Sequence, residues 1–346
     1  MGLKNWLDDH FFQTGCFFCQ IENGIVYLSK GGHWSELRPN EKVFFFLRPF
    51  YEDKILYLHD AEILKVKIET LIEITKEFTE FKLDFQALED SDDLFSRDFH
   101  HFQELTKQGL KKAVLLSRRV FKSTHASELK KRCFSNSIKN KSGWGYGRWD
   151  QESMIVGVSP ELLLKTEGNR FQTFALAGTA QKGEEQKLLA SSKDLYEHGL
   201  VVENILEDIA PYCKSLSAGN TIVVPYGRIC HLKTDITGQL TSAGDLWSVI
   251  TKLTPTAALG GHPRKLALEF LKQSHYYKKF KKRIHGSTFG ISDEITTESI
   301  VMIRNVQAEK EFIFFEAGAG IVNQSNESLE LEEIKKKIEA AKEMVL

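Results

Sequence analysis

An α+β fold, a layered α/β sandwich of largely antiparallel sheets covered by helices, is predicted by two features of the 346-residue sequence. Beyond residue 96, helical apolar periodicity alternates with β-branched runs, and neighbouring runs lie close enough to pair as hairpins. The composition, 42% apolar and 27% charged, suits a chain that buries a large core. Twenty-four Phe supply bulk for that core, and only 7 Pro leave little material for linkers.

Residues 60–85 carry Ile63, Leu64, Val66, Ile68, Leu71, Ile72 and Ile74 at helical spacing, predicting a helix closed by the acidic turn 89–93. That turn sets the expected boundary between a segment 1–95, packed on the main fold, and a domain 96–346. A helix over 97–108 ends at Gly109, and strands follow over 113–120, 154–158 and 171–176. A long helix is expected over 184–209, then strands over 221–224 and 232–240 and helices over 246–253 and 264–273. Three strands, over 285–291, 299–306 and 312–321, precede a closing helix from Ser328.

Forty-six Lys and Arg against 47 Asp and Glu give a net charge of −1, so no basic field exists to hold nucleic acid or anionic lipid. Asp8, Asp9 and His10 interrupt the amino-terminal stretch, and the apolar run 43–47 is far short of the ~18 residues a membrane span needs. Five cysteines are an odd number, and Cys133, Cys213 and Cys230 are scattered, so no disulfide framework is expected. A cytoplasmic location without a membrane partner is expected. Cys16 and Cys19 form a CxxC among Phe11, Phe12, Phe17 and Phe18. With no second ligand pair at comparable spacing, this favours packing over zinc.

On the closing helix Glu330, Glu333, Ile334, Lys337, Ile338 and Ala341 fall on one stripe, so two carboxylates share an apolar face. Glu197 lies in register with Val201 and Ile205 on the long helix. A solvated face explains the pattern; so does a site in which two helices offer oxygen ligands to Mg²⁺. The glycines of Ala317-Gly318-Ala319-Gly320 and of Gly260-Gly261 are read as tight turns or as a cradle whose N–H groups approach an anion. The phosphate-loop patterns GxGxxG and GxxxxGK[ST] are absent.

These residues belong to an ordered series of segments over 96–346 that resembles the chorismate-utilising enzymes. Gly157-Val158-Ser159-Pro160-Glu161-Leu162-Leu163 is similar to that family's GxSPExL segment, and Leu176-Ala177-Gly178-Thr179 to its LAGT segment. Ser192-Lys193-Asp194 with Glu197-His198 is similar to SEKDxxEH, and His231-Leu232 with Thr234 to HLxT. The run from Thr254 to Gly261, with Pro263-Arg264, resembles HPTPAxGGxPR, Thr254 standing where the family carries His. Ile303-Arg304, the segment from Ala317 to Val322, and the segment from Glu330 to Lys337 resemble the IR strand, the AGAGIV turn and the ExxExxxK helix.

The resemblance implies a chorismate-binding catalytic domain. By that resemblance Glu197 and Glu333 would bind Mg²⁺, with Glu330 nearby directly or through water, and the metal would hold the ring carboxylate. Arg304, Lys337 and the N–H groups around Gly318 and Gly320 would fix the enolpyruvyl carboxylate. Thr256 and Gly261 would join the substrate-binding set, His231 would line the ring pocket, and Glu161 would be the general acid for the departing C4 hydroxyl. Ala177 argues against the branch that uses a Lys in the LAGT-like segment. The loop at 254–261 is closer to the water-using branch.

In that branch the first strand reads like KVVLSR and its Lys activates the attacking water. Ungapped alignment on Ser117-Arg118 puts Ala113 at that position, and Lys112, one residue away, is expected on the opposite face unless a bulge turns it inward. The implied function is Mg²⁺-dependent conversion of chorismate to isochorismate, feeding menaquinone or siderophore synthesis, with Lys112 as candidate base. Two alternatives stay open: an anthranilate-type synthase with a separate amidotransferase subunit, and a catalytically weakened chorismate-binding protein.

Overall fold

The computed structural model describes residues 2–79, 84–123, 126–227 and 229–345. Its β-branched and aromatic runs pair, antiparallel throughout, into two sheets. One sheet runs Gly261–His262, Lys112–Lys122, Phe312–Val322, Asn305–Glu309, Ser153–Ser159, Trp144–Trp149, Gly15–Gln20, Ile25–Lys30 and Glu62–Lys67, with Gln86–Asp90 also pairing to Lys112–Lys122. The other runs Cys213–Tyr226, Ile229–Leu240, Arg170–Gln181, Leu162–Glu167, Thr296–Val301, Thr288–Ser292, Phe44–Arg48, Leu56–His59 and His33–Ser35. This is the α+β sandwich the sequence predicts.

At one end the sheets meet directly. Phe18 and Tyr146 from the first sheet and Phe45 from the second surround Phe289, with ring centroids 5.9 to 6.4 Å from it. Elsewhere helices supply the core. Ser192–Ile209 packs Val201, Ile205 and Ile209 against the sheets, and Glu327–Val345 buries Ile334, Ile338 and Ala341. The apolar stripe on the closing helix is therefore a packed face with its carboxylates toward the helix's amino-terminal end, not a solvated one.

Several expectations yield to tertiary structure. Residues 62–67 form a strand, because Leu64 and Val66 alternate with Lys65 and Lys67 and pair opposite Leu28 and Val26; the helix is only Ile68–Ile74. The end of that expected helix, residues 80–83, lies outside the described residues. The long helix divides at Ser191, whose hydroxyl accepts from Asp194 N and starts Ser192–Ile209 after the shorter Glu185–Ala190. The strand expected over 299–306 is two strands in different sheets, Thr296–Val301 and Asn305–Glu309, and the chain crosses between them at Arg304, whose φ is +51°.

The helix Ala126–Ile138 and the strand Trp144–Trp149 have no counterpart in the sequence reading. Residues 15–67 contribute strands to both sheets, and position 95/96 falls inside the helix Asp92–Leu105. Cys16 and Cys19 are buried free thiols on one strand, Cys16 lying 2.8 Å from Ser29 Oγ. No described helix is long and apolar enough to cross a membrane.

Candidate active site

A cavity opens between the sheets where the Ala317-Gly318-Ala319-Gly320 strand meets the two long helices. From the neighbouring strand Lys112, Val114 and Leu116 project over these glycines. A Cβ on Gly318 would meet Val114 and Leu116 at 2.9 and 2.8 Å, and one on Gly320 would meet Lys112 Cε at 2.8 Å and the Glu197 carboxylate. The glycines are thus spaces for side chains reaching across the strand.

Lys112 is fully buried, with Nζ 2.9 Å from Glu197 Oε1. The expectation that it faces away is corrected. The ladder from Phe312↔Lys122 to Val322↔Lys112 is unbroken, so ordinary alternation, without a bulge, sends Lys112 to the same face as the cavity-lining Val114. Ala113 points into the core with Leu115.

The GxSPE-like corner is built by backbone contacts. Gly157 passes so close to the Arg304 carbonyl that a Cβ would sit 2.7 Å from its oxygen. Ser159 Oγ donates to Val301 O at 2.6 Å and accepts from Glu161 N at 3.1 Å, holding Glu161 at the cavity wall. Burial pushes the Glu161 pKa up to about 8, against the pull of Lys112, Lys337, Thr256 and Arg304. The group is a neutral acid at pH 7, as proton donation requires.

Gly178, at φ +73°, forms a bulge in the LAGT-like strand: Ala177 pairs with Leu232 but Thr179 pairs with His231. Its carbonyl accepts from His231 Nδ1 at 2.9 Å, which leaves Nε2 to accept from Arg304 Nη2 at 2.7 Å. Burial, with Arg304 and Lys337 nearby, lowers the His231 pKa to about 3, so the ring is neutral and orients the guanidinium. Lys337 Nζ donates to Gly318 O at 2.9 Å and lies 2.7 Å from Glu333 Oε1.

Glu197, Glu330 and Glu333 gather at the edge of this cavity, each met by a lysine. Lys112 faces Glu197, Lys193 lies 2.7 Å from Glu330 Oε1, and Lys337 holds Glu333. Burial, then repulsion from Glu333, raises the Glu330 pKa to about 7. Burial also opposes ionisation of Glu333, yet Lys337, Lys193 and Thr179 keep its pKa below the ordinary value. Among the described residues no three acidic, His or Cys side chains stand close enough to cage a metal ion as folded. The donor chemistry nevertheless fits Mg²⁺, which takes one or two carboxylates and completes its shell with water and an anionic ligand.

Of the site residues read from sequence, Glu161, Glu197, His231, Arg304, Gly318, Gly320, Glu333 and Lys337 line the cavity. Lys112 lies beneath Glu197, and Glu330 lines an adjoining recess with Lys193. Thr256 is buried beside Glu161 and off the cavity wall. Gly261 is likewise off the wall: at φ +140° it pairs with Ala113, where a Cβ would strike the Lys112 carbonyl. Its glycine character answers to strand packing. Sequence reasoning missed His285 and Glu316 on the wall. Glu316 adjoins the glycine run, a usable signal, whereas no periodicity marks His285.

The family model for chorismate binding enzymes matches residues 47–343, and the chain belongs to that family. It is 31% identical to the isochorismate synthase MenF of Haemophilus influenzae over 213 residues, 59% of this chain and 49% of the relative. It is 28% identical to anthranilate synthase component 1 of Saccharolobus solfataricus over 206 residues, 55% of this chain and 48% of the relative. These alignments span about half the length of the curated relatives. The solved structure of MenF, the menaquinone-specific isochorismate synthase from Escherichia coli, superposes with a TM-score of 0.83 at 19% identity, covering 100% of this chain and 92% of that one. At that identity the likeness speaks for the fold.

Proposed function

We propose that the protein converts chorismate to isochorismate with the help of Mg²⁺. The observation that carries this reading is a buried, neutral carboxylic acid, Glu161, on the wall of a cavity with a buried lysine, Lys112, just behind that wall; Arg304, Lys337, His231 and the carboxylates Glu197 and Glu333 line the same cavity. For this Lys112 must first pass the proton of its ion pair to the Glu197 carboxylate; the free amine then takes a proton from the water adding to C2. Glu161 gives its proton to the C4 hydroxyl, which leaves as water while the ring double bonds shift. One water enters and one departs, and a proton passes back from the Lys112 and Glu197 pair to Glu161 to restore all three groups.

Arg304, oriented by neutral His231, and Lys337 hold the enolpyruvyl carboxylate; the Arg fork sets direction as well as charge. Glu197 and Glu333, with Glu330 beside them, would hold Mg²⁺, which neutralises and fixes the ring carboxylate. Resemblance to isochorismate synthases across the cavity motifs supports water as nucleophile, and the product would feed menaquinone or siderophore synthesis. The anthranilate synthase relative keeps ammonia as the second reading, with a separate amidotransferase as partner. The weakened-binder reading drew on Ala113, and the inward Lys112 removes its main support. Product identification from chorismate with Mg²⁺, with and without ammonia, separates the three.

A further inference from the structure

A second buried imidazole lines the cavity, with neighbours different from those of His231. His285 lies between the helix His275–Phe280 and the strand Thr288–Ser292 and precedes Gly286, whose φ of +86° and tight approach to Phe50 and Leu259 admit no side chain. Its backbone is fixed from two sides: Gly286 N donates to Met302 O at 3.0 Å, and Arg283 Nε donates to the His285 carbonyl at 3.3 Å. The same guanidinium donates to Leu259 O at 2.7 Å and Val114 O at 3.3 Å, and it lies 3.9 Å from the Phe50 ring centroid. Val114, Leu259 and His285 all line the cavity. One buried arginine therefore ties three pieces of wall together.

The imidazole itself is incompletely satisfied. Its Nδ1 is buried with no hydrogen-bond partner among the described residues, and the residue is part of the cavity wall. A buried N–H without an acceptor is costly, so the neutral ring carries its proton on the other nitrogen. Burial, with Arg283 adjacent, keeps the ring neutral, its pKa lowered to about 3. An Nε2–H with no protein acceptor among the described residues is then free for a ligand.

We propose that His285 is a substrate-binding residue whose Nε2–H donates to an oxygen of bound chorismate, and that Arg283 is the positioning residue that aims it. The inference rests on the chorismate reading of the cavity. Its role is distinct from that of His231, which spends both ring nitrogens on Gly178 and Arg304. His285 reaches the ligand itself.

The test compares His285→Phe, which keeps a ring and removes the donor, with His285→Gln, which retains one, in the full chain with chorismate and Mg²⁺. His285→Phe is expected to raise KM about 10- to 100-fold, the usual worth of a hydrogen bond to a charged group, with a much smaller change in kcat. His285→Gln is expected to recover most of the loss. An unchanged KM in a folded His285→Phe protein overturns the proposal, and so does equal loss in both variants. If His285→Phe does not fold, nitrogen-15 spectra of the histidine-labelled wild type decide. A neutral Nε2–H tautomer that shifts on adding chorismate supports the role, and an unmoved resonance overturns it. A wild type that neither binds nor converts chorismate overturns the functional reading, and this inference with it.

Discussion

Lys112 and Glu197 form an ion pair inside the cavity, Nζ to Oε1 2.9 Å, and both side chains lie over Gly320, where no Cβ fits. The proposed base and a carboxylate of the proposed metal set thus share one glycine-made space. The arrangement comes from three separate elements: the Lys112–Lys122 strand, the helix Ser192–Ile209 and the strand Phe312–Val322.

Lys112→Met should lower turnover by about 10²- to 10⁴-fold, the usual contribution of positioned proton transfer, in a protein that stays folded. Ala113→Lys should not rescue it. Ala113 is completely buried in the apolar core, so a lysine there buries an unpaired ammonium and should lower the melting temperature sharply. Steady-state kinetics and thermal unfolding of the two variants check both halves.

Gly320→Ala should separate activity from stability. The new methyl meets the ends of two flexible side chains, Glu197 and Lys112, which can move aside, so unfolding should cost no more than about 1–3 kcal/mol. Displacing that pair should lower kcat/KM by at least about tenfold, since small misplacements in an active site are felt strongly. Normal kinetics in this variant would show that the pair is not part of the chemistry.

Glu161 has a pKa raised by burial from an ordinary 4.5 to about 8, so the acid form is lost as pH rises through that value and turnover should fall above about pH 8. The same shift bears on stability. The folded state binds the proton more tightly than the unfolded chain, so the contribution is fully present below pH 4.5 and is lost progressively up to about pH 8. Glu161→Gln should lose about 10²- to 10⁴-fold in rate, retain chorismate binding and flatten both profiles. A near-normal turnover number would reject the assignment.

Chelation should abolish turnover and added Mg²⁺ should restore it. Glu197→Ala and Glu333→Ala should each remove the metal-dependent part of chorismate binding, measured by calorimetry with and without the ion. Full activity in excess chelator would rule out the metal.

Much of this site was legible because its residues answer to local rules. Glu197, Glu333 and Lys337 stand at helical spacing with buried apolar residues, and Gly318 and Gly320 end an apolar strand. What was hidden depends on tertiary pairing. The direction of Lys112 is set by which face of its strand meets the cavity, and a motif alignment one residue out of step inverts it. Arg304 reaches the site because the chain changes sheets just before Asn305, a break that the apolar run through 299–306 conceals. His285 is marked by nothing in its own segment. Its place is fixed by Arg283, whose three carbonyl partners are separated widely in sequence. In the first 95 residues, the strand over 62–67 was masked by helical periodicity that its pairing with residues 25–30 overrides.

The most direct measurement is to incubate the full chain with chorismate and Mg²⁺ and identify the product, with and without ammonia. The account predicts isochorismate in both cases, at a rate independent of ammonia and lost in Lys112→Met and Glu161→Gln. Anthranilate formed only with ammonia, or chorismate recovered unchanged, would contradict it.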